Sequence, residues 1–362
     1  MKIVTEQGIR GAVALAAAMM SSLLVLQSPV LAQAVDEEIR IANPNAASVT
    51  LGATLTLPDG DGPFPGVVMI SGSGPQDRDS HDPGLGEHRP FAVWAEHLAA
   101  NGIAVLRYDD RGVGQSTGDF AAATATDLAS DARAALTELR GHPSIDPRRA
   151  GLVGHSEGGA IAMMVAGDMD PSFVVMLAAP AVAFREVFSG QYLAQQLVGD
   201  DPQAALDANQ QFLSMIYATL DGVAGEPEAE ARARLAGVFD TLGLPHEAGL
   251  DTLSSAYIRG WLEHDMRATL RDYDGPVLGV YGEHDLSVNP IQNAAALGGA
   301  IDPQIGSRVT VLRGKNHLLQ SVTDAMANPA EQDHAVAQDV LELVAHWLGE
   351  RADLAMPAAS AE

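Results

Sequence analysis

Three polar side chains in this 362-residue sequence have the types and chain order of a nucleophile, an acid and a base: Ser156, Asp285 and His317. Ser156 lies in Gly154-His155-Ser156-Glu157-Gly158, just after a short apolar strand and just before the small apolar run Ala160–Ala166. That context predicts a nucleophile elbow, a sharp strand-to-helix turn that lifts a serine hydroxyl clear of a sheet. The flanking glycines leave room for two backbones to cross, and the following helix aims its first amides where negative charge would develop. The same Gly-x-Ser-x-Gly pattern recurs at Gly114-Gln115-Ser116-Thr117-Gly118. There the apolar strand 103–108 ends several residues too early and no helix follows at once, so Ser116 reads as a loop residue.

A serine hydroxyl needs a base, and the base needs an orienting acid. Past the apolar strand 277–281 comes Gly282-Glu283-His284-Asp285, then a turn and Pro290, which favours Asp285 over Glu283 as the acid. The alternative position, after the preceding strand, holds Ala178-Ala179-Pro180 and no acid. His317 follows the last strand in Gly314-Lys315-Asn316-His317, whereas His334 and His346 fall on or beside a regular helical face. Two backbone amides are expected to bind an oxyanion: that of Glu157, and that of Ser73 in Ser71-Gly72-Ser73-Gly74-Pro75. Gly72, Gly74 and Gln76 complete a candidate substrate loop. This loop has neither the lysine nor the spacing of a phosphate cradle. Asp79, His81, Asp82 and His88 are irregularly spaced in a Gly/Pro-containing loop and read as solvated, so no metal or cofactor is expected. Asp109, Asp110 and Arg111 read as holding the loop after strand 103–107. His155 is expected to point away from the nucleophile and pack, and His264-Asp265 to make a local contact.

The elements that must position these residues alternate. Segment 49–57 alternates like a half-exposed antiparallel strand, and 66–70 is a continuous apolar run. Helices are expected at 90–100, 127–139, 158–166 and 332–348, and further strands at 103–107, 150–153, 173–177, 277–281 and 308–312. The fold class is therefore α/β, a mostly parallel, doubly wound sheet. About 100 residues separate the strands ending near Leu177 and starting at Val277, too many for one crossover. Residues 185–268 are read as an inserted helical cap between core segments 35–184 and 269–350, with 351–362 as a disordered tail.

Residues 1–34 resemble a secretory signal: Lys2 and Arg10, an apolar run from Gly11 to Leu26, and small residues before Ala34. The run is broken by Ser21 and Ser22 and is shorter than the roughly 20 residues of a spanning helix. The expectation is an exported protein, periplasmic or extracellular, cleaved near Ala34, with no membrane span in the mature chain. The sequence has no cysteine, which excludes a thiolate nucleophile, thiolate metal sites and a lipoprotein anchor. Formal charge is 21 − 47 = −26; Lys2, Arg10 and Glu6 give the first 34 residues +1, leaving −27. Such a surface argues against nucleic acid or anionic membranes as partners.

The segments 71–79, 107–117, 154–159, 282–285 and 314–317 together resemble the α/β-hydrolase family, and more narrowly exported bacterial serine esterases related to serine aminopeptidases and acyl esterases. The likeness runs from about residue 48 to 348 and thins across the cap. It implies Ser156, Asp285 and His317 as the triad and a small-molecule carboxylic ester of short or medium acyl chain as substrate. Amide, peptide and thioester hydrolysis are the alternatives within enzymes, and a non-catalytic binding module on the same fold is the alternative outside them. Oligomeric state is not legible.

Overall fold

The computed structural model describes residues 34–81, 88–196, 202–246, 249–324 and 335–354. Eight strands form one sheet: β1 (Val35–Ala42), β2 (Thr50–Leu57), β3 (Phe64–Ile70), β4 (Ala104–Tyr108), β5 (Ile145–His155), β6 (Val174–Leu177), β7 (Val277–Gly282) and β8 (Arg308–Leu312). Their order is β1-β2-β4-β3-β5-β6-β7-β8. The β1–β2 and β2–β4 pairs are antiparallel and all others parallel. Side-chain alternation splits the core between two faces. Val68, Ile70, Leu106, Leu152 and Val174 pack on one side with helices α2 (Ala125–Gly141) and α3 (Glu157–Met169). Val67, Met69, Val105, Val153 and Val175 pack on the other with α1 (Pro90–Ala100) and α11 (Gln338–Arg351). Both faces are buried because the strands are apolar on both, as helices covering both faces of a parallel sheet require.

Between β6 and β7 the chain forms α4 (Phe184–Gln196), α5 (Pro202–Asp221), α6 (Glu228–Leu242), α7 (Leu250–Ser254), α8 (Ala256–Leu262) and α9 (Met266–Thr269). They carry a small core of their own, including Ile216, Leu235, Phe239 and Leu250. Entry and exit meet at an antiparallel bridge, Ala183 to Asp265, beside the Phe184 amide bonded to the His264 carbonyl at 3.0 Å. Phe184 stacks on Trp261 with ring centroids 4.2 Å apart. The inserted helices thus leave and rejoin the core through one narrow neck.

Several expected boundaries differ. The edge strand β1 lies ahead of the first strand read from the sequence; its Asp36 and Glu38 accept bonds from Thr56 and Thr54 at 2.6 and 2.7 Å. Charges on an edge strand obscure the alternation and discourage edge-to-edge pairing. Strand β5 begins at Ile145 rather than Ala150, because Phe64 of β3 already pairs there across an irregular register. The last helix starts at Gln338; positions 332–334 and all of the expected signal segment 1–34 except Ala34 lie outside the described residues. The expected tail from 351 is corrected: α11 runs through Arg351, Ala352 is buried, and the Leu354 amide bonds to the Gly349 carbonyl at 2.9 Å. Residues 355–362 lie outside the described residues.

Helix α10 (Pro290–Ala300) anchors the loop that leaves β6. Fully buried Asn293 accepts the Ala181 amide at 2.8 Å and donates to the Asn289 carbonyl at 2.9 Å. Replacing Asn293 by Ala leaves that amide unpaired in the interior, and the expected cost is about 1–3 kcal/mol. The measurement is the midpoint of urea unfolding, which should fall with unchanged slope.

Candidate active site

Ser156 joins β5 to α3 with φ +53° and ψ −123°. Holding a serine there costs on the order of 1–3 kcal/mol. Its amide donates to the Leu177 carbonyl at 2.8 Å and its carbonyl accepts the Gly159 amide at 3.0 Å, so the neighbours fix the turn. A Cβ on Gly154 would lie 2.1 Å from the Gly158 oxygen, and one on Gly158 would lie 2.2 Å from the Ile70 oxygen. The backbones of β3, β5 and α3 therefore cross where no methyl group fits. Ser156 occupies the N-cap of α3, a position where serine usually bonds the first-turn amides. Here the side chain makes no cap bond, which leaves its hydroxyl free.

That hydroxyl meets His317. Ser156 Oγ is 3.0 Å from His317 Nε2, and His317 Nδ1 is 2.8 Å from Asp285 Oδ2. The Asp285 side chain is 0% exposed, and its other oxygen accepts the amides of Ser287 and Val288, each at 2.8 Å. Both carboxylate oxygens are thus satisfied, which lets a buried charge persist beside the imidazole. The two loops are fastened to each other: the His284 amide bonds to the Lys315 carbonyl at 2.8 Å. Glu283, the rival acid, accepts the Gly314 amide at 3.0 Å instead of facing His317. His155 packs beside the base, its ring centroid 5.0 Å from that of His317 and its Nε2 3.0 Å from the His317 carbonyl oxygen. Burial, with the His317 ring beside it, brings the His155 pKa down to about 4, so its ring stays neutral and donates from Nε2.

The glycine-rich loop after β3 lies against this pair. A Cβ on Gly72 would be 3.3 Å from Ser156 Cβ. Ser73 Oγ donates to Glu157 Oε2 at 2.9 Å, and Gln76 Nε2 to the Ser73 carbonyl at 3.2 Å. Asp110 ties both ends of the loop, accepting Ser71 Oγ and the Gln76 amide, each at 2.9 Å. Asp109 binds Arg78 through its amide, Nε and Nη2 at 2.8–3.0 Å. The two aspartates thus hold the loop after β3, and Asp109 also holds the loop after β4, as expected from the sequence, by accepting the Gln115 amide at 2.8 Å. Burial raises both Asp110 and Glu157 to about 7, partly countered by the hydroxyl and amide donors around them. Tyr257 of α8 also donates to Glu157 Oε2. Neither Tyr257 nor Trp261 could be singled out from sequence, because helical periodicity inside the cap does not say which face meets the site.

Two cavities border the loop. One, about 200 Å³, lies under the cap, lined by Ser156, Phe184, Val187, Trp261, Ile258 and Val288 among others. The other, about 420 Å³, is bordered by Gly74, Gln76, Phe91, Trp94 and His155. Ser73 touches both. The second motif serine is structural: Ser116 Oγ accepts the Gly52 amide at 2.9 Å and donates to the Asp109 carbonyl at 2.7 Å. Asp79 pairs with Arg107, and His81 Nδ1 faces the His88 carbonyl at 3.2 Å. Asp82 lies outside the described residues. His264 bonds Thr269, and Asp265 caps α9.

The profile of the family described as "Serine aminopeptidase, S33" matches residues 83–217, a span that includes Ser156 but neither Asp285 nor His317. Esterase EstD of Thermotoga maritima is 32% identical over 149 residues, 41% of this chain and 35% of that protein. An uncharacterized protein of Mycobacterium tuberculosis is 35% identical over 107 residues, 30% of this chain and 37% of the other. The chain spans about a third of the length of these curated relatives. Among solved structures, the α/β hydrolase GrgF from Penicillium sp. superposes with a TM-score of 0.55 at 17% identity, covering 88% of this chain and all of that one. The chain has the α/β-hydrolase fold. A further α/β-hydrolase likeness, the Pyrococcus furiosus esterase Pf2001, has a TM-score of 0.52 at 14% identity over 88% of this chain and 91% of that one. At these identities the superpositions speak for the fold.

Two outcomes follow from the elbow's geometry. Gly158→Ala forces a Cβ into the Ile70 backbone and should yield little soluble folded protein, read by expression and circular dichroism. Glu157 has a folded pKa of about 7 against an ordinary value of 4.5. Between those values the folded state keeps a proton that the unfolded chain has lost, so stability falls as pH rises from about 4.5 to 7. In Glu157→Gln that slope should shrink, by on the order of 3 kcal/mol across the window. Denaturation midpoints of both proteins at pH 5 and 8 measure it.

Proposed function

We propose that the protein is a serine esterase that cleaves carboxylic esters of short to medium acyl chain through an acyl-enzyme intermediate. The observation that carries this reading is the unbroken chain of contacts Ser156–His317–Asp285, at 3.0 and 2.8 Å, on a strained strand-to-helix turn. His317 removes the Ser156 proton as Oγ attacks the ester carbonyl, while Asp285 orients the ring and stabilises its charged form. The amides of Glu157 and Ser73 take the oxyanion, each contributing about 3 kcal/mol to the transition state. His317 then protonates the departing alcohol, and a water activated by the same ring releases the acid. The likeness to Esterase EstD supports the reaction class over part of the chain. The cavity beneath the cap supports the acyl class: it is mostly apolar, touches Ser156, and at about 200 Å³ falls below the ~300–1,000 Å³ of drug-sized sites.

The reading includes export, with the chain working outside the cytoplasm after cleavage near Ala34. A small serine aminopeptidase is the second reading, supported by the description of the matching family profile and by a buried carboxyl, Glu157, on the wall of the cavity. A series of p-nitrophenyl acetate, butyrate and octanoate, beside an aminoacyl anilide, separates the two. The expected result is ester turnover with kcat/KM rising about three- to fourfold per added methylene while the cavity fills, as ~0.8 kcal/mol per buried methylene requires, then falling at octanoate. Turnover of the anilide alone refutes the esterase. Ser156→Ala should lose at least about 1,000-fold in kcat. Ser116→Ala should stay within about twofold of wild type, and the reverse pattern refutes the choice of nucleophile.

A further inference from the structure

Glu157 follows the nucleophile in sequence, and its amide alone enters the mechanism above. Its side chain, however, is 3% exposed and joins three separate parts of the fold. It belongs to the first turn of α3, it accepts Ser73 Oγ from the loop after β3 at 2.9 Å, and it accepts the Tyr257 hydroxyl from the cap. Tyr257 also packs on Phe120 of the core, ring centroids 5.8 Å apart. Two donors from different elements thus converge on one carboxylate oxygen, while the other oxygen has no hydrogen-bond partner among the described residues. Burying a carboxyl this deeply is costly unless hydrogen bonds compensate it, and here the hydroxyls of Ser73 and Tyr257 do so. Asp110 ties the two ends of the Ser71–Gln76 loop, and the middle of the loop, where Ser73 presents its amide, is held by Gln76 on one side and Glu157 on the other.

We infer that Glu157 and Tyr257 are positioning residues: a latch through which the seated cap sets the orientation of the Ser73 amide in the oxyanion hole. The inference rests on the serine-esterase reading. Tyr257 neither meets the reacting atoms nor moves a proton; it holds Glu157, and Glu157 holds Ser73. Cap seating therefore acts on the chemical step as well as on substrate binding. Removing the Tyr257 hydroxyl loosens one oxyanion donor without removing it. The loss should be smaller than the ~100- to 1,000-fold typical when a donor is deleted.

The test compares Tyr257→Phe, Ser73→Ala and the double variant on p-nitrophenyl butyrate. Active enzyme is counted by titration with an alkyl fluorophosphonate, so that misfolded protein drops out. Tyr257→Phe should lower kcat by about ten- to a hundredfold with KM within about twofold, because the contact matters most in the transition state. Ser73→Ala keeps the backbone amide but loses the same tether, so the double variant should resemble the worse single variant instead of their product. Glu157→Gln, which keeps an accepting oxygen, should retain more activity than Glu157→Ala.

A kcat within twofold of wild type in Tyr257→Phe, a change confined to KM, or multiplicative losses in the double variant each overturn the latch. If the wild type hydrolyses none of the esters, the rate of phosphonylation of Ser156 still reports the hole, since the phosphoryl oxygen takes the same donors. Equal rates in wild type and Tyr257→Phe then refute the latch alone. No phosphonylation of the wild type at all removes the esterase reading and the latch with it.

Discussion

The site depends on one steric constraint, the crossing of three backbones around Gly154 and Gly158. A single Cβ at either glycine would overlap a main-chain oxygen by more than an ångström of ordinary contact distance. That closeness lets β3 and β5 run side by side while α3 departs at once from the end of β5. It also brings the loop after β3 against Ser156, where Gly72 again leaves no spare space. Nucleophile and oxyanion loop are therefore set by the same packing event. The positive φ of Ser156 is the local cost of that arrangement, and the freed hydroxyl is its chemical consequence.

A second layer of order comes from buried acids. Asp285, Asp110 and Glu157 are each nearly inaccessible, and each collects donors from a loop that would otherwise wander. Asp285 gathers its own turn and the imidazole; Asp110 gathers the ends of the loop after β3; Glu157 gathers the middle of that loop and the cap. Asp110 and Glu157 both stand near neutrality through burial, so the architecture tolerates destabilisation on the alkaline side to keep the loops rigid. The strongly negative sequence fits that pattern only in part, since most of its acids lie on the surface.

Much of the sheet was legible because its strands are continuous apolar runs bounded by glycine, proline or aspartate. Segments 308–312 and 90–100 coincide with observed elements to the residue. Ser156 was legible against Ser116 for a physical reason: only the former has a strand ending at its own backbone, and the structure puts Ser116 to use as a hydrogen-bond post between β2 and the loop after β4. Strand β1 was not legible, because Asp36, Glu37, Glu38 and Arg40 hide a pairing whose stability comes from its neighbour β2. The destination of Asp109 and Asp110 was also hidden. Besides the local Gln115 amide on Asp109, their carboxylates bond residues some 30 positions away, and no local spacing encodes a contact between two loops brought together by parallel β3 and β4.

The cap is where local sequence says least and tertiary packing decides most. Its helices have ordinary amphipathic faces, and a small core of Leu235, Phe239 and Leu250 holds them together. Yet two of its aromatic residues face the core, and they do so differently. Trp261 stacks on Phe184 at the neck and helps close the cavity. Tyr257 adds a directed hydroxyl that ends on Glu157, one residue from the nucleophile. A cap secured only by apolar contacts could slide with little penalty, because such contacts are non-directional. Hydrogen bonds supply the direction: Gln292 of α10 donates to Glu186 of α4, and Tyr257 donates to a buried carboxyl at the point where the oxyanion loop, the elbow helix and the cap meet.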